Sequence, residues 1–132
     1  MKKKSKVSVI INCLNGEKFL KQAIYSVLKQ DYQNLEIIFW DNNSTDNSIK
    51  QLKELKTNRR IKLYESSKTI KLYNARNFAI KKATGKYIAF LDVDDTWERG
   101  KISSQVTKIE KDSYLLLAIP NINLHKLYPW SA

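Results

Sequence analysis

The sequence predicts an α/β protein, a mainly parallel sheet flanked by helices. Short apolar runs rich in β-branched residues alternate with stretches whose apolar residues recur at helical spacing. Three of those runs end abruptly in polar or acidic residues. At 132 residues, with 42% hydrophobic residues and only 3 glycines and 2 prolines, the chain has material for one folded core.

The elements follow in order. Val7–Ile11 is the first strand. From Glu17 onward Phe19, Leu20, Ala23, Ile24, Val27 and Leu28 recur at helical spacing with lysines between them, and Asn15-Gly16 supplies the expected cap and turn. Leu35–Trp40 is the second strand, ending at Asp41. Ser44 or Thr45 is expected to cap the second helix, with Asp46 near its positive N-terminus and Ile49, Leu52 and Leu55 as its buried stripe. Arg60–Tyr64 is a weaker third strand. A helix from Leu72 to Ala83 carries Leu72, Ala75, Ala79 and Ala83 on one face, and Gly85 stands where a C′ glycine would end it. Lys86–Leu91 is the fourth strand and stops at Asp92, Asp94 and Asp95. A last helix carries Ile102, Val106 and Ile109. Tyr114–Ile119 is one more apolar strand, and the tail from Pro120 to Ala132, with the single histidine His125, fits no pattern.

Strands separated by helices imply parallel pairing through right-handed crossovers. In the common order 3-2-1-4, the loops after strands one and four diverge at the switch point where such sheets bind ligands. That order gathers Asn12–Asn15, Asp41 and Asp92–Asp95 around one crevice. Taken alone, the acidic cluster is an acidic turn after a strand. Crowded carboxylates repel one another unless a cation or a hydrogen-bonded ligand compensates them. Hard oxygen ligands of this kind suit Mg²⁺ or Mn²⁺, which share their remaining positions with phosphate. Polar residues ending three apolar strands at one edge make the cluster a site.

Lysine and arginine number 24 against 13 acidic residues, a net charge of +11. Such a balance favours anionic partners: phosphorylated ligands, nucleic acid or the inner leaflet of a membrane. Most of these lysines have the bland alternative of a solvated surface. No recognition helix or RNA-stacking motif supports nucleic acid, which is not an expected partner. No signal-peptide core follows Lys2–Lys6, and no run reaches the ~20 apolar residues of a membrane span. A cytoplasmic location is expected, with charge-mediated contact at the cytoplasmic membrane face. Cys13, the one cysteine, excludes an intrachain disulfide and reads as a small core residue rather than a nucleophile. Neither a Gly-x-Gly-x-x-Gly loop nor a Walker-type glycine loop follows the first strand, which excludes dinucleotide-binding and P-loop sites. A nucleoside diphosphate would then need a metal together with basic side chains such as Arg76.

The motifs resemble the nucleotide-binding half of family 2 glycosyltransferases, which have the GT-A (Rossmann-like) fold. Val7-Ser8-Val9-Ile10-Ile11-Asn12-Cys13-Leu14-Asn15 is similar to the family's opening S-V-I-I-P-x-Y-N. Ile24–Gln30 resembles its S-V-L-x-Q helix, and Leu35–Asp46 its E-I-I-V-V-D-D-G-S-T-D segment. Asn74-Ala75-Arg76-Asn77 is similar to the A-R-N helix start, and Phe90–Asp95 to F-L-D-x-D-D. The five motifs keep family order over residues 7–111.

The resemblance implies transfer of a sugar from a nucleotide-diphosphate donor, expected to be UDP-linked, to a glycan or lipid-linked acceptor with inversion. It implies that Asp41 accepts a hydrogen bond from the base and that backbone around Cys13, Leu14 and Asn15 lines base and ribose. Arg76 would stand near base and phosphates, and Asp92 would contact the ribose or a metal-bound water. Asp94 would bind Mn²⁺ or Mg²⁺, and Asp95 would support the loop or contact the sugar. The chain departs from the pattern at Asn12 (proline in the family), Leu14 (an aromatic) and Asn42 (a second carboxylate). Asn43-Ser44-Thr45 matches a glycosylation sequon but is read as the helix cap. Family domains continue well past the Asp-x-Asp loop through an acceptor half carrying the catalytic base. Residues 1–132 are therefore expected to form a single incomplete domain, truncated after that strand, that binds donor weakly and transfers poorly alone. The alternative is a non-catalytic nucleotide-binding module or subunit.

Overall fold

The computed structural model describes residues 3–55, 58 and 60–111; the strand expected at 114–119 and the tail at 120–132, His125 included, lie outside the described residues. Among the described residues four strands and four helices alternate: β1 (Val7–Cys13), α1 (Leu20–Leu28), β2 (Leu35–Asp41), α2 (Ser48–Leu55), β3 (Ile61–Glu65), α3 (Leu72–Lys82), β4 (Tyr87–Asp92) and α4 (Lys101–Lys111). All pairings are parallel, in the expected order β3-β2-β1-β4.

The two-residue period of the strands divides the core. Val9, Ile11, Ile37, Phe39, Ala89 and Leu91 face α1, α2 and α4 in the larger cluster, joined by Ile24, Leu52 and Ile102. Ile10, Ile38 and Ile88 face the other way, under Ala79 and Ala83 at and just beyond the end of α3. Both faces are covered, so the strands read as unbroken apolar runs. The small alanines let α3 lie close to the sheet. Beside them Trp40 stacks on Phe78 at 5.6 Å between ring centres and 11° between planes.

The N-terminal ends of the strands are tied by one buried carboxylate. Glu36 on β2 accepts hydrogen bonds from Ser8 Oγ on β1 (2.7 Å), Lys62 Nζ on β3 (2.7 Å), and the backbone N–H (2.7 Å) and hydroxyl (2.9 Å) of Thr84. Lys6 adds a second ion pair at 3.3 Å. Burial alone would raise the Glu36 carboxyl, but the bonds from Lys62, Ser8 and Thr84 outweigh it and hold the group at about 2.

Gly85 belongs to this end of the sheet, which corrects its expected role. Ala83 caps α3 in an extended conformation, and no glycine takes a positive φ. A Cβ on Gly85 would instead stand 2.7 Å from both the backbone N and Oγ of Ser8. The position requires glycine because β1 passes too close.

Two helix starts also differ from expectation. α1 begins at Leu20 without a side-chain cap; the Gly16 carbonyl accepts the N–H groups of Phe19 and Leu20 instead. α2 begins at Ser48, whose N–H donates to Asp46 Oδ1 at 2.9 Å. Ser44 and Thr45 are engaged elsewhere, because tertiary partners compete for the same short polar side chains. Those partners build the site.

Candidate functional site

A groove of about 440 Å³ opens at the C-terminal ends of β1 and β4, lined by Asn12, Leu14, Asn15, Gly16, Phe19, Leu72, Asp92, Val93 and Asp94. It occupies the switch point between two strands whose following loops diverge.

Asn15 takes φ of 54° and Asn43 φ of 64°, left-handed conformations that asparagine tolerates better than most residues. From there Asn15 Oδ1 accepts the N–H groups of Thr45 (2.7 Å) and Asp46 (3.2 Å). In return the Asn15 N–H donates to Ser44 Oγ, and the Gly16 N–H to Ser48 Oγ, each at 2.9 Å. The Glu17 N–H donates to Asp46 Oδ2 at 3.1 Å. Burial would raise the Asp46 carboxyl, but hydrogen bonds from Ser48 and from the Glu17 N–H hold it below its ordinary range. The loops after β1 and β2 are thus joined side by side.

Asp41 lies beneath that seam, fully enclosed at 0% exposure. Its Oδ2 accepts the Ser44 N–H (2.8 Å) and its Oδ1 the Ser44 hydroxyl (2.6 Å). Asn42, also buried, clamps the backbone of Ile70: its Nδ2 donates to the Ile70 carbonyl (2.8 Å) and its Oδ1 accepts the Ile70 N–H (2.9 Å). This fixes the loop leading into α3, the helix that carries Arg76.

The acidic loop rests on the first. A Cβ on Gly16 would lie 2.9 and 3.0 Å from the two methyls of Val93, so the absence of a side chain there sets how closely the loops approach. Carboxylate oxygens of Asp92, Asp94 and Asp95 come within 4.8 Å of one another, and all three residues are exposed. Arg76 Nη2 lies 3.5 Å from Asp92 Oδ1, with its guanidinium 5.6 Å from the Phe90 ring centre. So exposed a pair contributes little stability. The pair does place the Arg76 guanidinium beside the acidic cluster.

The structure brings Leu14, Asn15, Asp92 and Asp94 into the groove wall and Arg76 beside it. Asp41 lies behind the wall. Cys13 is buried with its thiol pushed up by burial, a core residue as expected. Helical spacing assigns Phe19 and Leu72 to buried stripes; both instead line the groove, 42% and 52% exposed. Each sits at or just before its helix's first turn, where periodicity no longer dictates burial. With Leu14, at 49% exposure, they give the groove an apolar share of lining besides its carboxylates.

Residues 8–131 match the model of "Glycosyl transferase family 2". The chain is 38% identical over 107 residues to UDP-Glc:alpha-D-GlcNAc-diphosphoundecaprenol beta-1,3-glucosyltransferase WfgD of Escherichia coli, covering 81% of this chain and 42% of that protein. It spans less than half the length of the curated relatives it matches. Among solved structures it is similar to S. aureus TarS 1-349 in complex with UDP-GlcNAc, with a TM-score of 0.74, 25% identity, and coverage of 80% of this chain and 31% of that one. The Pyrobaculum calidifontis mannosyltransferase PcManGT, in complex with GDP-Man and Mn2+, shares the fold at a TM-score of 0.76 and 24% identity, over 81% of this chain and 33% of that one.

Proposed function

The chain belongs to glycosyl transferase family 2, and from that premise we propose that its groove is the donor site of an inverting transferase using a UDP-linked sugar. The acceptor is a glycan or a lipid-linked glycan. The observation that carries this reading is the triad of exposed carboxylates at the groove's lip with Arg76 beside it. The names of its relatives support the donor and acceptor classes: the E. coli enzyme's includes UDP-Glc and a diphosphoundecaprenol, and the TarS structure holds UDP-GlcNAc.

The three carboxylates suit a hard divalent cation, Mn²⁺ or Mg²⁺, because they are exposed oxygen donors at close mutual range. Asp94 would hold the ion, and Asp92 would contact the ribose or a metal-bound water. When bound, the ion neutralises charge on the departing nucleoside diphosphate. Arg76 adds positive charge at the same point and binds phosphate oxygens directionally through its planar guanidinium. Leu14 and the backbone at Cys13–Asn15 pack against base and ribose. Asp41 fixes the loop from below; each of its oxygens accepts one bond from Ser44 and keeps a lone pair, so direct contact with a base would require only that the enclosure around it open. The base that activates the acceptor hydroxyl belongs to the acceptor half of the enzyme, as the family resemblance implies.

Titration of UDP by calorimetry, with Mn²⁺ and with chelator, tests the reading. Binding is expected with Mn²⁺ only, and Asp94→Ala is expected to weaken it at least tenfold, roughly the loss of one metal ligand's support. Absence of UDP binding to folded protein in Mn²⁺ would overturn it.

A further inference from the structure

We infer that the Asn12 carboxamide reads the nucleoside part of the donor and sets which nucleotide this chain selects; this rests on the groove being a donor site. Most polar groups in and around the groove are already committed. Asn15 Oδ1 is taken by the Thr45 and Asp46 amides. Asp41 is enclosed and bonded twice by Ser44. Asp92 faces Arg76, and Asp94 belongs to the acidic cluster. Asn12 also lines the groove, yet its carboxamide has no hydrogen-bond partner among the described residues, and its Oδ1 is closed off from solvent.

A buried amide oxygen without a partner costs stability and calls for an explanation. No packing requirement supplies one, because an apolar side chain of the same size would fill the space without that cost. Asn12 is also rigidly placed. It sits in the central strand β1, with Trp40 of β2 opposite on one side and Asp92 of β4 on the other. Only its side-chain torsions are free, and a half-turn about the last one exchanges the oxygen for the NH₂. The side chain therefore offers a bound ligand either a donor or an acceptor.

The chemistry of that offer is neutral. Phosphates are drawn to Arg76 and the cation site, whereas a carboxamide complements the N–H and C=O edge of a base or a ribose hydroxyl. The related motif has proline at this position, which carries no side-chain hydrogen-bonding group. The selectivity is thus a property of this chain.

The test titrates UDP, CDP and 2′-deoxy-UDP, each with Mn²⁺, into the wild-type chain, Asn12→Ala and the shape-preserving Asn12→Leu, and measures Tm for all three proteins. Both substitutions are expected to weaken UDP about three- to tenfold, the range for one neutral hydrogen bond. Wild-type preference for UDP over CDP marks a base contact, and preference over 2′-deoxy-UDP a ribose contact. Whichever preference exists is expected to vanish in both variants, with Tm unchanged or raised. Variants that keep wild-type affinity and ranking overturn the inference and leave the donor site standing. So do variants with lowered Tm and unchanged ranking, which would mark a structural role. A wild-type chain that binds none of the three nucleotides removes the donor site and this inference together.

Discussion

Glu36 shows how one side chain can carry a measurable share of stability. Its folded-state pKa of about 2 lies below the ordinary 4.5. Between those values the unfolded chain holds more protons than the folded one, so stability is fully present above about pH 4.5 and is lost as pH falls toward 2. The difference amounts to about 3 kcal/mol, and burial keeps solvent from screening it away. Urea unfolding of the wild type is expected to show that loss, and Glu36→Gln to show neither the loss nor the extra stability at neutral pH. Parallel pH profiles for the two proteins would refute the assignment. Little of this is visible in the sequence, where Glu36 looks like an ordinary charged residue in a strand. Asp41 is similar: its place at a strand end is legible, but its enclosure by Ser44 depends on contacts that spacing does not encode. Leu14 and Asn12 are legible as departures from a motif, and the structure adds that both line the groove.

At the scale of elements, every described strand and helix was legible, along with the strand order, because burial on both sheet faces leaves uninterrupted apolar runs and covered helices leave a 3.6-residue stripe. Helix starts were less legible. Ser44, a plausible cap by sequence, donates to Asp41 and accepts from Asn15, so it joins two loops instead of starting a helix. Ser44→Ala is expected to lower stability by about 1–2 kcal/mol, since it leaves Asp41 Oδ1 and the Asn15 N–H without partners. It should also weaken UDP binding in Mn²⁺ although Ser44 is not itself in the groove wall. Chemical denaturation and calorimetry on the same preparation check both effects. A variant that loses stability but binds UDP normally would show that the seam between the loops does not shape the site.

For the whole molecule, the net charge of +11 and the acidic triad pull in different directions. The diffuse positive field attracts any polyanion, whereas the triad needs a cation before it can receive a phosphate. DNA binding is therefore expected to collapse between roughly 0.05 and 0.2 M salt and to be the same in Asp94→Ala. Filter binding across a salt series measures this; a difference between the two proteins at low salt would place DNA in the groove. No helix among the described residues is long and apolar enough to cross a membrane.

The Glu36 tie and the groove lie at opposite ends of the same four strands. That distance has a consequence for how such a protein can diverge. Substitutions that retune the groove leave the anchor at the other end intact, so a new substrate preference can be explored by mutation without first compensating for lost foldedness. A library randomised at Asn12, Leu14 and Phe19 should retain a high fraction of soluble members, whereas one of equal size at Ser8, Glu36 and Gly85 should retain few.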